Sequence, residues 1–197
     1  MIVTVASFKG GIAKTTTAVH LAAYLQQQAS TLLIDSDPNR SATRWGSLGK
    51  LPFKVIDERQ AAKYVPRYEH ALIDTQARPT QADLEALAEG CDLLVVPSTP
   101  DALALDALIQ TVNTLKAAGS ERFRVLLTIV PPPPNKDVGE ARQMLADAGL
   151  PCFGSYIRRF VAFQKAALAG VPVYEADDPR AKTAWFDYKR VGQELEA

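Results

Sequence analysis

Short runs of β-branched and apolar residues recur along the chain and alternate with stretches of helical periodicity. The runs predict six strands, at residues 2–6, 31–34, 53–56, 71–73, 93–96 and 124–130. In residues 15–27, Ala18, Leu21, Ala22 and Leu25 follow the i, i+3, i+4, i+7 spacing of an amphipathic helix. Similar patterns predict helices at residues 80–89, 102–118, 138–148 and 181–197. Nearly continuous apolar strands that alternate with helices predict an α/β fold, a mostly parallel twisted sheet with helices on both faces.

Composition narrows the class of protein. The 197 residues contain no repeat or linker, so we expect a single domain over residues 1–197. The 22 basic and 22 acidic residues cancel, so any affinity for nucleic acid must come from a local patch. Two distant cysteines, with no signal peptide and no long apolar run, predict a cytoplasmic protein without a membrane partner. The histidines His20 and His70 lack metal-like spacing and are expected to be structural.

The segment with the clearest chemistry lies between the first strand and the first helix and reads SFKGGIAKTTT over residues 7–17. Gly10 and Gly11 allow a tight turn that aims backbone N–H groups at an anion. The helix that begins near Lys14 adds its positive end. Lys14 supplies a charge for the β- and γ-phosphates, and the Thr15 hydroxyl can ligate Mg²⁺. The pattern predicts an ATP and Mg²⁺ site.

This loop departs from the ordinary phosphate-binding pattern GxxxxGK[ST], because Phe8 and Ala13 stand at its two glycine positions. It has the deviant form KGGxxK[ST], with a second lysine at Lys9, and it resembles the ParA/MinD family of deviant Walker ATPases. The resemblance extends over nearly the whole chain and implies the P-loop NTPase fold. It also implies a nucleotide cradle made by Lys9, Gly10, Gly11, Ile12, Ala13, Lys14, Thr15 and Thr16.

Two further strand ends carry carboxylates. Asp35 and Asp37 follow the second strand, and by resemblance Asp37 orients the attacking water; the alternative is a solvated turn. Because residues i and i+2 share a face of a strand, Asp35 could support Mg²⁺ through water. Asp74 ends the fourth strand and is expected in the Mg²⁺ shell, with residues 75–79 as a switch that senses the γ-phosphate.

Adenine recognition is less well defined. Thr128 lies where many relatives carry an asparagine that contacts the base, and an ordinary strand residue is the competing interpretation.

A basic stripe lies in residues 156–165, which hold Arg158, Arg159 and Lys165 interleaved with aromatic residues and no acid. The stripe predicts a surface for DNA phosphates, and the alternative is a strand–helix junction with solvated arginines. In residues 181–197 the acids near the end favour a packed or partner-binding helix over a membrane-surface helix.

The small size is typical of single-domain ParA proteins, among them cyanobacterial members that distribute carboxysomes. The resemblance implies an ATP-dependent homodimer, in which Lys9 reaches the partner's nucleotide, and binding to non-specific DNA of the nucleoid. It further implies slow ATP hydrolysis, stimulated by DNA and by a ParB-like or McdB-like cargo adaptor, that positions a carboxysome, plasmid or chromosome region. The alternatives are a MinD-like ATPase, a cobyrinate amidase-like synthetase, an iron-protein-type electron-transfer ATPase, and an adaptor without hydrolysis.

Overall fold

A computed structural model describes residues 1–77, 80–117, 122–132, 134 and 136–195. Six parallel strands form one sheet in the order β3-β2-β4-β1-β5-β6. The strands are β1 (Ile2–Ser7), β2 (Thr31–Asp35), β3 (Lys54–Asp57), β4 (His70–Ala77), β5 (Leu93–Ser98) and β6 (Phe123–Leu127). The predicted α/β class, parallel sheet and approximate strand positions are confirmed.

Eight helices connect and cover the strands in the described part of the chain. They are α1 (Lys14–Leu25), α2 (Ser41–Gly46), α3 (Ala61–Tyr64), α4 (Gln81–Glu89), α5 (Ala102–Ala117), α6 (Asp137–Asp147), α7 (Ala162–Ala169) and α8 (Ala181–Leu195). Helices α2, α3 and α7 were not predicted, because fewer than nine residues show little periodicity. The predicted ends at residues 118 and 197 lie outside the described residues.

Alternate residues of the strands pack into different layers, as the two-residue period of a strand requires. Val3 of β1, Leu33 of β2 and Val95 of β5 pack with the helices α1, α2, α7 and α8. Leu94 of β5 packs with α4, α5 and α6 on the other face, where Ile34 of β2 packs with α3. The sheet is therefore covered on both faces, which explains why its strands are apolar at nearly every position.

Helix α1 is buried along almost its whole length. The predicted core face is confirmed, since Ala18, Leu21, Ala22 and Leu25 are fully buried. The prediction that this helix is amphipathic is wrong, because Val19 and Ala23 are fully buried as well. The reason is that α1 packs against α8 as well as against the sheet.

The last strand ends earlier than predicted. It stops at Leu127, because Ile129 adopts a left-handed backbone conformation with φ of 54°. Residues 151–159 then run parallel to the outer edge of β6, with bridges that pair Val125 with Cys152 and Val130 with Arg158. This unpredicted edge segment carries Arg158 to the carboxyl end of the sheet.

The C-terminal helix is packed, as its spacing predicts, with Ala184, Tyr188 and Val191 fully buried against the core. Within the residues that the structure describes, we find no helix long and apolar enough to cross a membrane.

Candidate functional site

The loop between β1 and α1 turns through two residues with positive φ, Gly11 at 79° and Ala13 at 65°. A Cβ atom added at Gly10 or Gly11 would meet no atom within 4 Å, so this face of the loop is open. Ala13 directly precedes α1 without a side-chain cap, and the first N–H groups of the helix are available to an anion. Ala13 adopts a left-handed backbone conformation, which costs energy in residues that carry a Cβ atom.

A cavity of about 560 Å³ opens at the carboxyl end of the sheet above this loop. Most of its wall comes from the phosphate-type loop, the turn after β2 and the edge segment with the start of α7, and Ala77 of β4, Ile129 and Tyr188 of α8 complete it. The lining residues include Lys9, Gly10, Gly11, Ala13, Lys14, Thr15, Thr16, Asp37, Asn39, Ser41, Ile129, Arg158, Arg159, Phe160, Phe163 and Gln164. The cavity thus combines cations and aromatic rings at the loop end of the sheet.

Lys14 is the centre of a buried cluster of charges. Its Nζ atom lies 2.9 Å from Oδ2 of Asp37 and 2.6 Å from Oδ1 of Asp74. The strands position this cluster, since parallel pairing aligns Asp74 of β4 with Val5 of β1, the strand that enters the loop. The three residues that sequence reasoning selected for phosphate, water and metal are therefore in direct contact. A single ammonium group neutralises much of the charge of the two carboxylates.

The two carboxylates respond differently to this environment. Burial tends to raise the pKa of Asp37, but the backbone N–H of Asn39 and the Lys14 ammonium outweigh it, and the pKa lies below its ordinary value. Burial dominates at Asp74 and raises the pKa of that carboxyl, although Lys14 and Thr15 oppose the change. Asp37 is therefore held ionised and is suited to accept hydrogen bonds at neutral pH.

The oxygen donors around Thr15 fit a magnesium ion. The Thr15 hydroxyl donates to Oδ2 of Asp74 at 2.7 Å, and hydroxyl and carboxylate oxygens are ligands that Mg²⁺ prefers.

Asp35 has a different set of partners. Its carboxylate accepts backbone N–H groups from Asp37 at 3.1 Å and from Thr43 at 2.7 Å, so it holds the turn after β2 together. Strand β2 ends at Asp35, and the expected shared strand face of Asp35 and Asp37 is wrong because Asp37 lies in that turn.

Thr128 lies behind the loop rather than in the cavity wall. It is fully buried, and its hydroxyl donates to the carbonyl oxygen of Ile12 at 2.9 Å. The expected contact with adenine is not supported by this position; the neighbouring Ile129 lines the cavity instead. Thr128 is suited to hold the loop against the end of β6.

Arg158 lines the cavity and is bound to a buried acid on α8. Its Nη2 donates to Oδ1 of Asp187 at 2.6 Å, and its Nε donates to Oδ2 at 2.9 Å. The backbone N–H of Arg158 also donates to Asp187, at 3.0 Å. Hydrogen bonds to Asp187 raise the pKa of Arg158. The guanidinium group predicted to contact DNA is thus committed to a bidentate ion pair.

The other two residues of the stripe differ from each other. The Nζ atom of Lys165 lies 3.0 Å from the Asp178 carboxylate, and it also donates to the backbone oxygen of Asp177 at 3.0 Å. Arg159 is exposed and has no ion pair among the described residues. The stripe lacks acids in the sequence, but the fold brings acids to two of its three cations.

The expected switch, residues 75–79, is only partly described, and the second lysine of the loop, Lys9, lies at the edge of the cavity. Thr75 is buried, with its hydroxyl bonded to the carbonyl oxygen of Val5 at 3.1 Å, and Ala77 lines the cavity. Arg78 and Pro79 of the expected switch lie outside the described residues. Lys9 is exposed at the rim of the cavity.

A buried aromatic cluster beside α1 supports the site and is missing from the sequence predictions. The His20 ring stacks on Tyr188 with 4.8 Å between centroids, and the Tyr188 hydroxyl lies 3.1 Å from that of Thr17. His20 is structural, as predicted, because both ring nitrogens have backbone partners, the Thr16 oxygen at 2.7 Å and the Val173 N–H at 3.0 Å. Only the helical spacing of Tyr188 signalled its burial.

Comparison with known sequences identifies similar proteins over the whole chain. Residues 3–173 match the model of the CobQ/CobB/MinD/ParA nucleotide binding domain. "Maintenance of carboxysome distribution protein A" of Gloeobacter kilaueensis is 36% identical over 99% of this chain and 94% of its own length. The protein of the same name from Halothiobacillus neapolitanus is 24% identical over 87% of this chain and 85% of its own length.

Solved structures show the same fold. Apo McdA of Cyanothece superposes with a TM-score of 0.74 at 18% identity, covering 95% of this chain and 97% of the other. MinD of Aquifex aeolicus has a TM-score of 0.76 at 15% identity, covering 99% and 96% of the two chains. At these identities the superpositions establish the architecture.

Proposed function

Since this chain belongs to the CobQ/CobB/MinD/ParA family of nucleotide-binding domains, we propose that it is an ATPase that positions an intracellular cargo. The observation that carries the proposal is the contact of Lys14 with both Asp37 and Asp74 at the mouth of the loop. In this proposal Lys14 is the phosphate ligand, Asp37 orients water and Asp74 binds the metal, and the contacts among the three side chains support these roles.

ATP binding would change the partners of Lys14. The β- and γ-phosphates carry more negative charge than a single carboxylate and can accept hydrogen bonds from the ammonium group and the α1 N–H groups together. We infer that Lys14 moves to the phosphates, with Gly10, Gly11, Ile12, Ala13 and Thr16 around them. The carboxylate of Asp37 then loses its cation and is free to accept a hydrogen bond from water.

Hydrolysis would depend on Asp37 and on the oxygens around Thr15. The backbone N–H of Asn39, which also lowers the pKa of Asp37, stays in place after Lys14 has moved, so we infer that Asp37 remains an ionised acceptor that orients water for in-line attack. Thr15 and Asp74 would hold Mg²⁺, with Asp35 behind them, and the ion would neutralise charge on the phosphate oxygens when bound.

Our proposal for the cargo and partners rests on the relatives. Two relatives are named for the maintenance of carboxysome distribution, and we therefore propose a carboxysome as the cargo. A plasmid or a chromosome region is the alternative cargo that the resemblance to ParA proteins implies. In this proposal ATP produces a homodimer that binds non-specific DNA of the nucleoid. A ParB-like or McdB-like adaptor links the dimer to the cargo and stimulates hydrolysis.

The rate of phosphate release, measured with and without duplex DNA of arbitrary sequence, tests the ATPase. A parallel gel-shift experiment with ATP, ADP and no nucleotide tests the DNA step. We expect slow hydrolysis that DNA accelerates and a shift that requires ATP. The Lys14→Ala variant is the matched control for contaminating ATPases. Wild-type hydrolysis no faster than that of Lys14→Ala would contradict the proposed activity.

A further inference from the structure

A second cavity of about 440 Å³ lies next to the nucleotide cavity. Arg159, Phe160 and Gln164 line both cavities, and the outer wall is added by the turn before α8, with Asp178, Pro179 and Arg180. The two cavities therefore share one wall, which is built by the edge segment and the start of α7.

The charges in this second cavity favour an anion. Arg159 and Arg180 are both exposed there, and neither takes part in an ion pair within the described ranges. The carboxylate in the wall, Asp178, is compensated by Lys165 at 3.0 Å and accepts the backbone N–H of Arg180 at 2.9 Å. The cavity thus presents the exposed guanidinium groups of Arg159 and Arg180 beside an ionised carboxylate whose charge Lys165 compensates.

We propose that this second cavity is a phosphate-binding pocket, and that Arg159 and Arg180 hold a backbone phosphate of DNA in it. Guanidinium groups bind phosphate oxygens through paired N–H donors, and an exposed pocket admits a phosphate that is part of a polymer. The inference rests on the DNA binding proposed above and deepens it, because the sequence stripe includes Arg159 but not Arg180.

The proposal changes the expected role of Lys165. In the stripe it would contact DNA directly, whereas in the pocket it compensates the charge of Asp178 and so reduces repulsion of the phosphate.

The shared wall also links the phosphate pocket to the nucleotide cavity. A nucleotide that contacts Arg159, Phe160 or Gln164 would alter the pocket within the same subunit, which provides a route from nucleotide state to DNA affinity.

The first test measures duplex DNA affinity with ATP over a range of salt concentrations. Arg180→Gln should reduce the slope of log affinity against log salt by about 0.9, the contribution of one phosphate contact. ATP affinity should not change, because Arg180 lies outside the nucleotide cavity. Arg59→Gln is the matched control, since its side chain is 84% exposed and lies after β3 at the other edge of the sheet; the slope should stay at the wild-type value.

The second test separates neutralisation from direct contact at Lys165. Lys165→Gln should weaken DNA binding because the negative charge of Asp178 is no longer compensated, and the double variant Lys165→Gln/Asp178→Asn should restore the wild-type affinity. A double variant as weak as Lys165→Gln would overturn the proposal and favour direct contact.

The outcomes also distinguish the inference from the function on which it rests. Wild-type protein that binds no DNA in any nucleotide state would contradict the proposed DNA binding itself. Wild-type binding with an unchanged slope in Arg180→Gln would contradict only the pocket. Binding of pyrophosphate tests a small phosphate ligand. If Arg180→Gln loses pyrophosphate binding but keeps the wild-type slope of log DNA affinity against log salt, the pocket binds a small phosphate ligand and not DNA.

Discussion

At the scale of single residues, Lys14 decides how the site is charged before and after nucleotide binding. Its ammonium group compensates Asp37 and Asp74, which would otherwise face the incoming phosphates as two buried carboxylates. Removing one member of such a cluster leaves uncompensated charge, which costs several kcal/mol. We therefore expect a Lys14 substitution to remove the proposed phosphate ligand and to add repulsion between the carboxylates and the phosphates.

Lys14→Ala should abolish ATP binding at micromolar protein concentrations, because both effects act against the phosphates. Isothermal calorimetry measures this directly, and Lys50→Ala, a substitution of an exposed lysine, should bind as the wild type does. Near-normal affinity of Lys14→Ala would contradict the assignment of the loop.

Asp37→Ala should retain ATP binding and lose hydrolysis, at least ~10²-fold, because the water is no longer oriented. The variant should therefore accumulate as an ATP-bound dimer, which light scattering detects. Asp177→Ala, which changes an exposed acid, should hydrolyse ATP at the wild-type rate. A monomeric Asp37→Ala protein in ATP, or one with normal hydrolysis, would remove the catalytic role.

The sequence predicts those site residues that belong to a short local motif. Lys14 follows a glycine turn, and Asp37 and Asp74 follow strands, so their meeting at one sheet edge could be predicted. Thr128 and Asp187 show the limit of this reasoning. Their partners are Ile12 and Arg158, which are 116 and 29 residues away, and a single sequence contains no signal for such pairs.

At the scale of elements, the strands could be predicted from runs of several apolar residues, and the long helices from an apolar periodicity that extends over several turns. Helix α7 was not predicted, because it has only eight residues and two of them, Phe163 and Lys165, were attributed to a surface stripe. The edge segment 151–159 was missed for another reason: its main link to the sheet is backbone pairing with β6 around two isolated bridges, which does not depend on residue type. These two elements build the wall shared by both cavities.

His20 connects α1 to the turn at Val173, and its protonation should weaken this connection. Burial lowers the pKa of His20 to about 4 from its ordinary value of 6.5, although the bond to Thr16 opposes the change. A lowered pKa means that the native state favours neutral imidazole. The stabilisation is therefore complete above pH 6.5 and is lost as the pH falls towards 4.

By pH 5 this loss should reach about 2 kcal/mol in the free energy of unfolding, before most carboxylates become protonated. Urea unfolding at pH 7 and pH 5 measures it. His20→Gln does not titrate in this range and should show a smaller difference between the two pH values. An equal difference in both proteins would mean that other groups cause the pH dependence.

At the scale of the whole molecule, the net charge is zero, but the cations at this end of the sheet fall into two groups, those paired with acids and those exposed to solvent. Lys14 is buried with two acids, Arg158 is paired with Asp187, and Arg159 and Arg180 face solvent at the second cavity. Lys9 is a further exposed cation, at the rim of the nucleotide cavity and without an ion pair in the part of the chain that is described. In the proposed function Lys14 binds the phosphates from within the loop, and we therefore propose that Lys9 contacts a second subunit.

Lys9→Ala should bind ATP but fail to dimerise, and it should therefore fail to bind DNA. The reason is that a lysine that reaches the partner's nucleotide has its ligand only when both sites hold ATP. Removing one member of a buried interfacial pair costs a few kcal/mol, and two symmetric copies should weaken dimerisation by roughly three orders of magnitude or more. Analytical ultracentrifugation with ATP and Mg²⁺ decides the matter, with Lys50→Ala as the control for the loss of an exposed lysine. A stable Lys9→Ala dimer would show that Lys9 is a solvated loop residue and that dimerisation depends on other contacts.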